Sequence, residues 1–197
     1  MTESAPSEWA EEIDALLVRG MNRERGMEVV DLNILEIPWI ARTRRNHALE
    51  HATINVLGQR CPHLHLIGRS TPNGFYLYGD VATEDVMAAA TEALARLQRG
   101  ERGLAVHARC GTNLATAGVL AGLSSFFVMS GRSKSRLEKL PQVLLAATAA
   151  IIVAQPLGRT LQERLTTSTK LEGVVIKGVT RQVRSKMVSH WVDIGQE

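Results

Sequence analysis

Two charge-free runs constrain this chain more than any other feature. Thr112 to Ser130, "TNLATAGVLAGLSSFFVMS", and Leu140 to Gly158, "LPQVLLAATAAIIVAQPLG", contain no Asp, Glu, Lys or Arg. Each has about the length that a bilayer-spanning helix requires, roughly 17–25 residues. The connection between them, "GRSKSRLEK", is so short that the two helices must run antiparallel. The pattern therefore predicts a transmembrane helical hairpin, with a pair of buried helices in a soluble core as the alternative. Small residues recur in both runs. Gly118 and Gly122 form a G-x-x-x-G pair that Ala115 and Ser125 extend, and Ala146, Ala147, Ala149 and Ala150 occupy the second run. Small residues let helix backbones approach closely in lipid. The Gly118/Gly122 pair suits a contact within the hairpin or a homo-oligomer.

The remainder of the chain is polar and of mixed periodicity. Residues 8–19 place Trp9, Ile13, Leu16 and Leu17 on one side of a short amphipathic helix. Pro38 suits the first turn of a helix running to Leu57, with Gly58 near its end. "HLHLIG", the turn chemistry of "STPNG" and "FYLYG" together predict a β-hairpin over residues 64–79. Thr83 is an expected N-cap, and Glu84 and Asp85 fall where a helix dipole favours them. That helix carries Val86, Ala89, Ala90, Ala93, Leu94 and Leu97 and stops at Gly100. "GLAVHA" reads as a third short strand, and "GVVIKGVTRQVRSKMVSHWVDI" as one or two more. The expected fold class is α+β. A small helix and β-hairpin domain (1–110) precedes a two-helix transmembrane hairpin (111–158), and a C-terminal helix extension and strands follow (159–197).

Within the first predicted helix, His47-Ala48-Leu49-Glu50-His51 reads H-x-x-E-H. Residues four apart share a helix face, so His47 and His51 can grip one metal ion. Zinc suits imidazole nitrogen, and catalytic zinc commonly takes three protein ligands and a water whose pKa it lowers to about 7. Glu50 sits close to that face and can serve as the general base. Ile40, Thr43, His47, Glu50, His51, Ile54 and Leu57 form one helical stripe, so the motif is expected in an apolar wall. The third ligand is expected to be His107, with Cys110 as the alternative; Gly111 permits a tight turn there. His63 and His65 read as hairpin surface residues and His190 as a minor candidate. Glu84 and Glu92 are further carboxylates on the following helix. The strand "NGFYLYGD" offers either an exposed edge for a peptide substrate or a structural hairpin with interfacial tyrosines.

His47, Glu50 and His51 resemble the inverted zinc motif of the inverzincin peptidases. The resemblance covers five residues, and implies zinc on the two histidines and a base at Glu50. The downstream acidic ligand of those peptidases has no evident counterpart. A longer similarity runs from "NHALEHATINVL" through "STPNGFYLYG" to "VHARCGTNL", about residues 45–125. It resembles an uncharacterised family of bacterial membrane proteins carrying a domain of unknown function. That likeness implies a bacterial inner-membrane protein and no particular activity.

Taken together, the expectation is a membrane-anchored zinc hydrolase, peptidase-like, acting on a peptide or protein. The second expectation is a non-catalytic membrane protein with a structural metal or a bound partner. The formal charge of +3 is too slight to indicate nucleic acid, and no stretch interleaves basic and aromatic residues for it. Cys61 and Cys110 are too few for a disulfide framework. Arg132, Lys134, Arg136 and Lys139 would keep the inter-helix loop in the cytoplasm and put the H-x-x-E-H domain outside. The acidic N-terminus has no apolar signal region, and Arg42, Arg44, Arg45, Arg99, Arg102 and Arg109 make the head side basic too. On balance the head domain is expected in the cytoplasm.

Overall fold

Pro38 opens the first long helix, where its missing N–H leaves no bond unmade. The helix α1 (Pro38–Arg60) buries Ala48, Leu49, Ala52, Val56 and Leu57. In the computed structural model, residues 34–131, 137–184 and 187–196 are described; the amphipathic helix expected over 8–19 lies outside them. A hairpin follows, β1 (Ile67–Thr71) and β2 (Gly74–Tyr78), turning through Pro72 and Asn73. Next, α2 (Thr83–Gln98) presents Val86, Ala89, Ala90, Ala93 and Leu97 to the core. Its N-cap position is Ala82, without a side-chain cap bond, so Thr83 begins the helix and does not cap it. Gly100, at φ +94°, turns the chain out of α2 in a conformation that β-carbon-bearing residues rarely adopt.

The segment expected as a third strand is instead a 3₁₀ turn, Arg102–Ala105. The reason lies on α1. Asn55 donates to the carbonyls of Leu104 and Val106 at 2.9 and 3.1 Å, and His51 holds that of Ala105. Side chains have taken the acceptors that a strand neighbour would need.

The chain then enters α3 (Gly111–Ser130) and returns in α4 (Leu140–Leu161), which a π-helical turn, Gln162–Thr166, prolongs. Both helices are long and apolar enough to cross a membrane. No residue of α3 is buried, and Leu114, Val119, Leu123, Phe126 and Phe127 are exposed. Gly118 and Gly122 point away from α4: a β-carbon at either would meet open space. The close approach within the hairpin occurs instead at Gly158, where an added β-carbon would lie 3.2 Å from Asn113 Cα.

The last strands, β3 (Val174–Arg184) and β4 (Met187–Gln196), return to the head. The four antiparallel strands lie in the order β1-β2-β4-β3, with a register shift between Ile176 and Gly178. Phe75, Leu77, Val192 and Ile194 on one sheet face pack with the apolar residues of α1 and α2 into one core. Tyr76, Tyr78 and Trp191 share the other face, with the Tyr76 and Trp191 ring centroids 4.6 Å apart. Since β4 pairs along it, β2 is interior and is not the exposed edge that its sequence left open. Among the described residues the free edges are β1 and β3.

Candidate metal centre

The H-x-x-E-H turn of α1 faces inward, as its stripe requires. Glu50 and His51 are buried, and His47 is half-buried. Each histidine is fixed through Nδ1: His47 to the Thr166 carbonyl at 2.9 Å, His51 to the Ala105 carbonyl at 2.8 Å. A carbonyl oxygen can only accept, so both Nδ1 atoms carry the hydrogen. In the neutral rings Nε2 is then left as a bare lone pair. A backbone carbonyl behind the ring is the arrangement that orients metal-binding histidines and raises their basicity.

The third donor is Cys110. The donor atoms of His47, His51 and Cys110 all lie within 4.8 Å of one another, a group that could hold a metal ion. Cys110 Sγ lies 3.5 Å from His47 Nε2. Cys110 is also the N-cap of α3, where its sulfur accepts from Thr112 N–H at 3.4 Å. Burial pushes its thiol up, but the hydrogen bonds of His47, His51 and Thr112 outweigh that and bring it down to about 5. A helix N-terminus beside imidazoles is a setting that favours thiolate. Burial likewise pulls His47 down, yet Cys110, the Glu50 charge and the Thr166 bond leave it above its ordinary value.

His107, the first choice from sequence, stands beside this group and not in it. Its ring centroid is 5.8 Å from that of His51, and its backbone N–H donates to Gln162 Oε1 at 3.0 Å. Burial, then the His51 charge, hold it below the ordinary histidine value. The remaining candidates lie elsewhere. His63 and His65 are exposed, and His65 Nδ1 accepts from Arg109 at 2.9 Å. His190 is buried on the core face of β4 opposite Leu77. Glu84 lies exposed in the first turn of α2, and Glu92 pairs with Arg60 and Arg96.

Glu50 is held by residues that sequence reasoning passed over. Ser70 Oγ, on β1, donates to Glu50 Oε2. Gly68, two residues earlier, leaves the space that the carboxyl group fills: an added β-carbon would fall directly on it. Burial raises the Glu50 carboxyl above its ordinary range, opposed by the Ser70 bond and by His47 and His51. A glycine inside a predicted strand was the available signal, because it often marks close approach by another group. Arg44, one turn before His47, acts on the cluster from the other side. Its guanidinium donates to the carbonyls of Leu165 (2.6 Å), Arg164 (3.0 Å) and Thr167 (3.2 Å), fastening the π-turn that delivers Thr166 to His47.

These groups line an open groove of about 590 Å³ that includes His47, Glu50, Gly68, Ser70, Cys110 and Thr166. Residues 42–179, which contain every member of the cluster, match the family described as Domain of unknown function (DUF6391). The chain belongs to that family. An uncharacterized protein from Picosynechococcus sp. is 39% identical to it over 142 residues, covering 65% of this chain and 67% of that protein. No solved structure matches. The DUF6391 match ends inside β3, so β4 and its core residues Val192 and Ile194 lie beyond it.

Proposed function

We propose that this DUF6391 protein is a membrane-anchored, zinc-dependent hydrolase of the peptidase type. One observation carries the reading: two imidazoles anchored through Nδ1 to backbone carbonyls converge with a thiol beside a buried carboxyl group. Two nitrogens and one sulfur suit zinc, which is borderline soft. Tetrahedral zinc holds such donors roughly 3.3–3.6 Å apart, so a modest contraction of the cluster would close on one ion. Zinc bound there would supply Lewis acidity and a lowered pKa for bound water. The raised Glu50 carboxyl is then suited to take the proton of the attacking water and pass it to the leaving amine. Ser70 holds that carboxyl in place. The edge strand β1 borders the same groove through Gly68, Arg69 and Ser70, where a peptide could pair as an added strand.

The exposed face of α3 supports the anchor. Removing a large apolar side chain from water is worth about 1.5–3 kcal/mol, and α3 alone exposes Leu114, Val119, Leu123, Phe126 and Phe127. We place α3 and α4 across a bacterial inner membrane with the head in the cytoplasm. Gly118 and Gly122 face outward and are free to meet a second copy.

Purification without chelators, followed by metal analysis, tests the reading. One zinc per chain is expected in the wild type and in Glu50→Gln, and none in His47→Ala. Peptide hydrolysis should fall by about 10²–10⁴ in Glu50→Gln. A metal-free wild type would end the proposal. The proximity of His107 favours one competing reading, a closed structural site with four protein ligands and no activity. Cobalt-substituted protein separates the two, because only an open site changes its absorption when a hydroxamate is added.

A further inference from the structure

A second groove, of about 500 Å³, runs between α3 and α4 at their head-side ends. Its walls are mainly apolar, with Leu114, Ala117, Ile151 and Ala154 beside Asn113 and Gln155. Its mouth carries Arg109 just before α3 and Arg159 near the end of α4. Both arginines are exposed, neither has a carboxylate partner among the described residues, and no acidic residue lines the groove. Arg109 is steadied from behind by His65 Nδ1 at 2.9 Å, which leaves guanidinium N–H groups facing outward to be satisfied.

Two guanidinium groups without a carboxylate partner beside an apolar slot fit one kind of molecule: an amphiphile with an anionic head and an acyl tail. We infer that this groove binds an anionic phospholipid, its phosphate on Arg109 and Arg159 and one acyl chain between α3 and α4. The inference rests on the membrane placement of these helices. Arginine matches phosphate oxygens in a bidentate fashion, and the anionic lipids of the cytoplasmic leaflet attract basic residues at the membrane surface. Cys110 lines both this groove and the head groove, so the lipid would sit against the candidate metal centre.

The test is native mass spectrometry of the full chain, purified in neutral detergent and offered phosphatidylglycerol, phosphatidylcholine or glycerol phosphate. The expected result is one phosphatidylglycerol per chain, retained in preference to phosphatidylcholine. Arg109→Gln and Arg159→Gln should each weaken retention on the order of fivefold, and Arg159→Lys much less. Leu114→Trp, which fills the slot and keeps both charges, should also lose the lipid. Equal retention of the two lipids, or full retention by the doubly substituted protein, would overturn the inference. So would glycerol phosphate competing as well as phosphatidylglycerol, or an apolar peptide displacing it while lipids do not. Fractionation of cells reports on the membrane placement by itself: a chain that stays in the membrane pellet yet shows no lipid preference fails only the lipid site.

Discussion

A glycine that touches no substrate decides where Glu50 stands. The space above Gly68 is filled by the Glu50 carboxyl group, the far end of a flexible side chain. Gly68→Ala should therefore be tolerated by the fold while it pushes the carboxyl off Ser70. The expected outcome is hydrolysis reduced to the level of Glu50→Gln, with zinc content unchanged and the thermal midpoint moved by only a few degrees. Retained activity in Gly68→Ala would remove Glu50 from the reaction. Cys110 offers a second residue-scale check in metal-free protein. Its thiol lies at about 5, against an ordinary value of 9.0. A thiol with lowered pKa is thiolate above that value, so alkylation of Cys110 should already be near its plateau at neutral pH and fall off below about pH 5. Mass spectrometry of the alkylated Cys110 peptide across pH 4–9 reads the curve; a rate that still climbs above pH 8 contradicts the imidazole–thiol contact.

At the scale of elements, the periodicities of α1, the β-hairpin, α2 and the two apolar helices were legible, because each rests on local pattern. What pattern could not supply was the competition for backbone acceptors. "GLAVHA" alternates like a strand, but Asn55 and His51 reach its carbonyls from α1 and hold it as a 3₁₀ turn. The third donor was ambiguous for the same reason: His107 and Cys110 are three residues apart in a turn, and only tertiary contacts decide which turns inward. Likewise G-x-x-x-G is a strong local signal, yet the hairpin closes elsewhere. Asn113 packs against Gly158 and accepts from Gln162 Nε2 at 2.6 Å, while Gln162 Oε1 takes the His107 N–H. Gly158→Val should thus separate the helices at the cluster end, costing about 1–3 kcal/mol by overpacking. Gly118→Ala, with nothing within 4 Å, should be neutral for the hairpin. Thermal unfolding in detergent measures both, and equal effects would contradict this packing.

For the whole molecule, the order of segments along the chain differs from their association in space. Residues 1–110 read as a head domain of their own, but the sheet is completed from the other side of the hairpin. β4 lies between β2 and β3 and sends Val192 and Ile194 into the core, and Val174 of β3 joins them. Burial of three such side chains contributes about 5–8 kcal/mol, comparable with the entire stability of an ordinary domain. Gln196 adds a bond from its Nε2 to Asn46 Oδ1 at 2.7 Å, one residue before His47. Asn46 in turn grips the β1–β2 turn through Thr71 and Pro72. The C-terminus and the candidate centre are therefore parts of one cooperative unit, with the hairpin as an insertion between its halves. Expression of residues 1–110 alone should give a chain without cooperative unfolding or zinc. Full-length protein cut by a protease within the inter-helix loop should keep both, since its halves still pair through the sheet. A folded, zinc-binding 1–110 fragment would mean that β4 merely covers a core already complete.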